Sequence, residues 1–306
     1  MALDYVHLPA FEEPAGAVAV DEEVDPSEPS AFPPLRVEAD RLIYGGQNLG
    51  LLLLVTRPLA NGLVVERLAI DGKDGVLEAT GQWLRVGQVH SSILQGELEV
   101  RDLGRLLKRL GYAQTVNKGR GRVSLDLRWP RPISDPTVAS LSGDLSFEMI
   151  DGVLLDVDPG AGRLFGLLSV QALPRRLKLD FRDFFGKGYG FDMMRGHFNI
   201  QSANAFTNNF KMKGTAADVA IQGRIGLLAR DYDQELYITP HVTSGLPLVG
   251  ALTGGLGVGA AVLLAERILK PSIDEATQVR YLVVGSWDDP VFTRVEIPPT
   301  GELSAQ

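Results

Sequence analysis

Val123-Ser124-Leu125-Asp126-Leu127-Arg128-Trp129 places an apolar residue at every second position and a polar one between. Leu141-Ser-Gly-Asp-Leu145-Ser-Phe147-Glu-Met149 repeats the pattern. A period of two is the spacing of a strand with one dry and one wet face, as antiparallel sheets often have. The same alternation extends outward from this pair. Upstream, Leu94, Gly96, Leu98 and Val100 alternate with Gln95, Glu97 and Glu99, and Leu77, Ala79, Gly81 and Trp83 oppose Glu78, Thr80 and Gln82. Asp71-Gly72-Lys73-Asp74-Gly75 is a turn between the predicted strands 63–70 and 76–84, and 45–48 joins strands 36–44 and 49–56. Downstream, strands are predicted at 190–201, 204–213, 217–225, 232–239, 280–287 and 291–297. Phe206, Phe210 and Met212 share one parity against Lys211 and Lys213, and Val219, Ile221 and Ile225 oppose Ala220, Gln222 and Arg224. Glycine opens or interrupts many of these runs (Gly96, Gly121, Gly143, Gly196, Gly214, Gly223), as a strongly curved sheet requires. The expected fold is mainly β with a few helices: a curved antiparallel sheet forming an open groove, over residues 35–297.

Five stretches break the pattern. Asp102–Leu110 reads as a short amphipathic helix with Leu103, Leu106, Leu107 and Leu110 on one face and Gly111 as its stop. Residues 153–188 lose the alternation, and 162–170 read as helical. Residues 245–271, GLPLVGALTGGLGVGAAVLLAERILKP, carry no charge from Leu246 to Ala265, about the length that crosses a bilayer core as a helix. Small-xxx-small spacings at Gly250/Gly254 and Gly255/Gly259 fit helix packing in lipid, and a buried glycine-rich helix or hairpin is the plainer alternative. Within it, Gly255–Ala260 fits the G-x-G-x-x-A dinucleotide pattern, but no strand feeds directly into it and too little chain follows for the remaining βα units. Residues 1–34 form an acidic, proline-rich linker or loop, and 298–306 a frayed tail. The start, ALDYVHL, alternates as if inside an element, with neither a basic nor an apolar leader region. A fragment of a longer chain, without its own signal or N-terminal anchor, is therefore expected.

Composition narrows the function. The chain has 306 residues, 45% hydrophobic, and a net charge of −8, which argues against a general nucleic-acid binder. It has no cysteine, so disulfides, thiolate metal sites and a cysteine nucleophile are excluded. His7, His90, His197 and His241 form no i, i+4 pair, and no metal or cofactor is expected. Asp156-Val-Asp158-Pro159-Gly160 reads as a helix-entry turn with Asp158 as cap, and Asp288-Asp289-Pro290 as a turn between strands. No nucleophile-elbow, P-loop or HExxH motif occurs, and nothing asks for an enzyme. Arg175, Arg176 and Lys178 beside Phe181, Phe184 and Phe185 form a basic–aromatic cluster of membrane-interface type, with surface pairing to Asp180 and Asp183 as the alternative.

Several long motifs then occur in order: LPRRLKLDFRDFF (173–185), GYGFD (188–192), ADVAIQGRI (217–225), RDYDQEL (230–236), LPLVGA (246–251) and YLVVGSWDDP (281–290). Together they resemble the AsmA-like family of Gram-negative envelope proteins, specifically from about residue 120 to 297. The resemblance implies a repeating β-groove in the periplasm, membrane-associated, whose dry face carries phospholipid acyl chains toward the outer membrane without catalysis. The apolar parity supplies the expected groove liners: Leu125, Leu127, Leu145, Phe147, Phe198, Ile200, Phe210, Met212, Ile221 and Ile225. Leu246, Leu248, Leu252, Leu256, Val258, Val262 and Leu263 would contact membrane, the outer one at this end. The alternative is an envelope scaffold that binds a protein partner through its sheet edge.

Overall fold

The computed structural model describes residues 2–8, 33–155, 188–215, 217–241 and 278–295. The expected helix at 162–170, the basic–aromatic cluster, the Asp156–Gly160 turn and the whole apolar segment 245–271 lie outside the described residues. The described chain is almost entirely strand. Two short strands, β1 (Ala2–Leu3) and β2 (Val6–Leu8), run parallel to β3 (Leu35–Tyr44). Thus the alternating start of the chain enters the sheet. Next come β4 (Gln47–Leu59), β5 (Gly62–Asp71), β6 (Gly75–Val86), β7 (Val89–Val100), helix α1 (Leu103–Arg109) and β8 (Val116–Trp129). They are followed by β9 (Ser142–Leu154), β10 (Tyr189–Gln201), β11 (Asn204–Gly214), β12 (Ala217–Gly226), β13 (Asp231–Pro240), β14 (Val279–Ser286) and β15 (Pro290–Val295).

All fifteen strands form one open, curved sheet, and from β3 to β15 each strand pairs antiparallel with its neighbour in sequence. No second sheet packs on it among the described residues. Alternation is respected almost throughout, so one face is apolar and the other polar.

Bulges change which residues face inward. Between β11 and β12 the register passes from Thr207↔Gly223 to Phe210↔Ile221, one extra residue on β11. The parity of β11 inverts there. Phe210 and Met212 are buried as expected, but Phe206 is 43% exposed and Thr207 takes the inward position. Gly143 has φ +126, and a Cβ there would sit 2.0 Å from the Asp126 carbonyl oxygen, so curvature at this point needs glycine.

Two elements fold onto the apolar face at opposite ends of the strands. Helix α1 is capped by Asp102, whose Oδ1 accepts from Arg105 N at 2.9 Å. It buries Leu103, Gly104 and Leu107, and a Cβ on Gly104 would stand 2.4 Å from the Val116 carbonyl oxygen, so helix and sheet touch by backbone. Asp74, 3% exposed, fixes the helix by accepting from Arg109 Nη2 at 2.7 Å and pairing with Arg105 at 3.2 Å. At the other end, the loop after β8 turns inward. Ser92 Oγ donates to the Arg131 carbonyl at 2.7 Å, Trp129 Nε1 donates to the Pro132 carbonyl at 2.9 Å, and Ile133 lies over Gly81.

Candidate functional site

Between these two covers the apolar face is a band that crosses the strands. One row reads Val37, Leu54, Leu68, Ala79, Gly96, Leu125, Leu145, Phe198, each directly opposite the next from β3 to β10. A second row, two residues along each strand, reads Ala39, Leu52, Ile70, Leu77, Leu98, Val123, Phe147, Gly196. Neither row contains a polar side chain. At about 4.8 Å between strands, each row runs roughly 34 Å. Leu52, Leu54, Leu68, Ile70, Leu77, Leu98, Val123, Leu125, Leu145, Phe147 and Phe198 are all only half-buried. A filled core would take such residues out of water altogether. Here they line an open trough.

The ten residues expected to line it fall in two groups. Leu125, Leu127, Leu145, Phe147, Phe198 and Ile225 are half-buried. Ile200, Phe210, Met212 and Ile221 are buried, the last three within the cluster that also takes in Met149, Met194, Leu236 and Tyr281. Gly196 is the junction. Its missing side chain leaves Phe210, Phe198 and Phe147 standing 3.3 to 3.5 Å from where a Cβ would be. Phe147 stacks on Phe198 and meets Phe210 edge-on, each at 6.1 Å between centroids. The residues that strand parity alone leaves out of the trough are those of β3 to β6. Outside β4, whose leucine run does not alternate, their signal is the same alternation, and the row pairing is what reveals them.

The polar face carries the charged groups. Glu78 and Glu97 stand directly opposite each other on β6 and β7, tolerable only on a wet face. Glu235 accepts from Gln222 Nε2, Tyr237 Oη and Arg280 Nη2. The Tyr237 hydroxyl first, then Gln222 and Arg280, hold its carboxyl down at about 2. Tyr189 is the apolar face's counterpart. Burial pushes its phenol up to about 12, and the hydroxyl donates to the Ala217 carbonyl.

The histidines have structural surroundings. His90 is buried, accepts from Trp83 Nε1 at 3.0 Å through Nδ1, and burial, with Arg85 and Arg131 nearby, lowers its pKa. His197 lies on the polar face between Ser146 and Asp144, and His241 lies beside Asp218. His7 is in β2. Among the described residues no three His, Asp or Glu side chains are grouped to hold a metal ion, and no helix is long and apolar enough to cross a membrane. Asp288 and Asp289 lie in the turn between β14 and β15, as expected, with Asp289 N donating to Ser286 Oγ.

Comparison with known proteins gives the family. The family described as YhdP protein matches residues 1–292. The intermembrane phospholipid transporter YhdP of Escherichia coli (strain K12) is 31% identical over 268 residues, which is 87% of this chain and 20% of that protein. The chain thus spans about a fifth of its relative's length. No solved structure matches it. An open, one-sided sheet and a match along nearly the whole sequence lead to one assignment: the chain belongs to the YhdP family.

Proposed function

We propose that the trough carries phospholipid acyl chains between membranes, as the terminal part of a longer periplasmic groove. The observation that carries this reading is the pair of unbroken apolar rows, half-exposed along their length. Acyl chains laid on such a band leave water at a gain of about 0.8 kcal/mol per methylene. No bond is made or broken, and no catalytic residue is required. The relative's own description as an intermembrane phospholipid transporter supports the same reading.

The sheet border gives a reason to place the membrane contact. Leu154 pairs with Tyr189 and Ile238 with Val279, so the chain leaves β9 and re-enters β10, and leaves β13 and re-enters β14, along the border that bears α1. The basic–aromatic stretch and the apolar stretch fill those two gaps in the sequence. Leu246, Leu248, Leu252, Leu256, Val258, Val262 and Leu263 are then the membrane contacts, with the outer membrane as the surface met at this end. Paired Val258→Asp and Ala261→Asp replacements are expected to abolish flotation with liposomes.

Native mass spectrometry with lipid extraction tests the trough directly. The purified protein is expected to carry phospholipid, and Phe147→Asp to lose it. A stable, lipid-free wild type sinks the reading. The second reading, a scaffold, draws on β15, which pairs only with β14 and leaves its other edge free among the described residues. It predicts that same lipid-free protein and a partner strand added to β15.

A further inference from the structure

The polar face carries an apolar patch at β4. Leu51-Leu52-Leu53-Leu54-Val55 does not alternate. Leu52 and Leu54 belong to the trough rows, so Leu51, Leu53 and Val55 point to the opposite face. A strand apolar on both sides is the signature of a strand covered on both sides. Yet Leu51 is 53% exposed, and Leu53 and Val55 are only half-buried. Ala69 on β5 stands directly opposite Leu53 and extends the patch.

The patch is a hollow of about 260 Å³, bordered also by Ala39 and Leu52 of the second row, and its charged lining among the described residues is Glu38, Asp40 and Asp71 with no cation. Glu38 also meets Arg36 and Asp71 also meets Arg101, both from outside the hollow, while Asp40 has no ion-pair partner among the described residues. Apolar floor and carboxylate rim together specify the chemistry of what fits. An anionic membrane gains nothing from this rim, where Asp40 is the carboxylate left over. A segment with an apolar stripe flanked by lysine or arginine satisfies both.

We propose that this hollow on the outer face of β3 to β5 is a docking site for a cationic amphipathic segment of a protein partner. It opens on the face opposite the trough, with only Ala39 and Leu52 shared between them. Leu51 and Leu53 bury against the partner's apolar stripe, and Asp40, with Glu38 and Asp71, meets its cations.

The test uses the whole chain and a synthetic 18-residue amphipathic helix of leucine and lysine, with the leucine–glutamate version as control. Fluorescence anisotropy is expected to show saturable binding of the lysine peptide and none of the glutamate peptide. Leu53→Asp should weaken binding about tenfold or more, the loss expected for one buried leucine. Leu51→Ser, at a position already exposed, gives the same readout if Leu53→Asp fails to fold. Asp40→Lys should weaken binding and flatten its salt dependence. Phe147→Asp, in the trough, should leave the peptide affinity unchanged, so a failed lipid reading does not decide this one. Equal binding of both peptides, or unchanged affinity in Leu51→Ser, overturns the proposal. So does loss of flotation with anionic vesicles in Leu51→Ser, which would make the hollow a membrane contact.

Discussion

Leu125→Asp separates trough function from fold more cleanly than any other single change. Leu125 lies in the first row between Gly96 and Leu145, and its side chain is half-buried. In the empty trough the new carboxylate keeps its water, so the folding cost is small, about 1 kcal/mol or less. In a loaded trough it cannot. An extended acyl chain lays roughly four methylenes over one strand spacing of about 4.8 Å. At about 0.8 kcal/mol per methylene, the burial forfeited over β8 is worth up to about 3 kcal/mol. That is near a hundredfold in Kd, at about 1.4 kcal/mol per decade. The assay is titration with a fluorescent phospholipid, alongside counting of co-purified lipid by native mass spectrometry. Ser124→Asp is the control, one residue away and on the polar face. If Leu125→Asp binds lipid as tightly as Ser124→Asp does, acyl chains do not lie on this row and the reasoning fails.

Four further outcomes are expected. Gly196→Leu fills the niche among Phe147, Phe198 and Phe210 and should lower lipid occupancy without adding charge, read by the same lipid count. Tyr189→Phe leaves the buried Ala217 carbonyl without its donor and should cost about 1–2 kcal/mol in urea unfolding. Arg109→Ala removes the closest cation from buried Asp74 and should loosen α1, lowering stability by about 1–3 kcal/mol and speeding amide exchange over residues 103–109. Glu235 has its carboxyl held at about 2, below the ordinary value of 4.5. Its contribution is therefore complete above the ordinary value and fades as pH falls toward the depressed one, so Glu235→Gln should flatten the loss of stability across that window. Denaturant midpoints measured at neutral pH and near the bottom of the window would show no change in slope if the network is inert.

Much of the sheet is legible in the sequence because period two is a local signal. Val123–Trp129 and Leu141–Met149 need no tertiary information, and α1 shows itself through Asp102, its leucine spacing and Gly111. What parity does not encode is register. Parity groups Phe206 with Phe210 and Met212, and the bulge at Thr207–Phe210 turns it to the other face. Parity also cannot separate a residue lining an open trough from one in a filled core. Leu145 and Ile221 have the same pattern around them, yet one is half-buried and the other 9% exposed. That difference depends on how the sheet curves and what folds over it, which no stretch of ten residues contains. The rows through β3 to β6 escape sequence reading for a related reason, since strands are read singly and the trough exists only across them.

The strictly sequential strand order has a consequence of its own. From β3 to β15 the backbone pairing runs strictly between neighbours along the chain. Such an array behaves nearly as a one-dimensional chain, its stability accumulating hairpin by hairpin from nearest-neighbour interfaces. Most hairpins close through a short loop, the exceptions being the connection that holds α1, the loop after β8 and the two long gaps, so growth can proceed largely by local pairing. Duplicating one hairpin would lengthen the apolar path by about 9.6 Å and leave every other pairing intact. A protein built this way can be fitted to the width of the space it crosses by adding or deleting hairpins, with no redesign of what is already there.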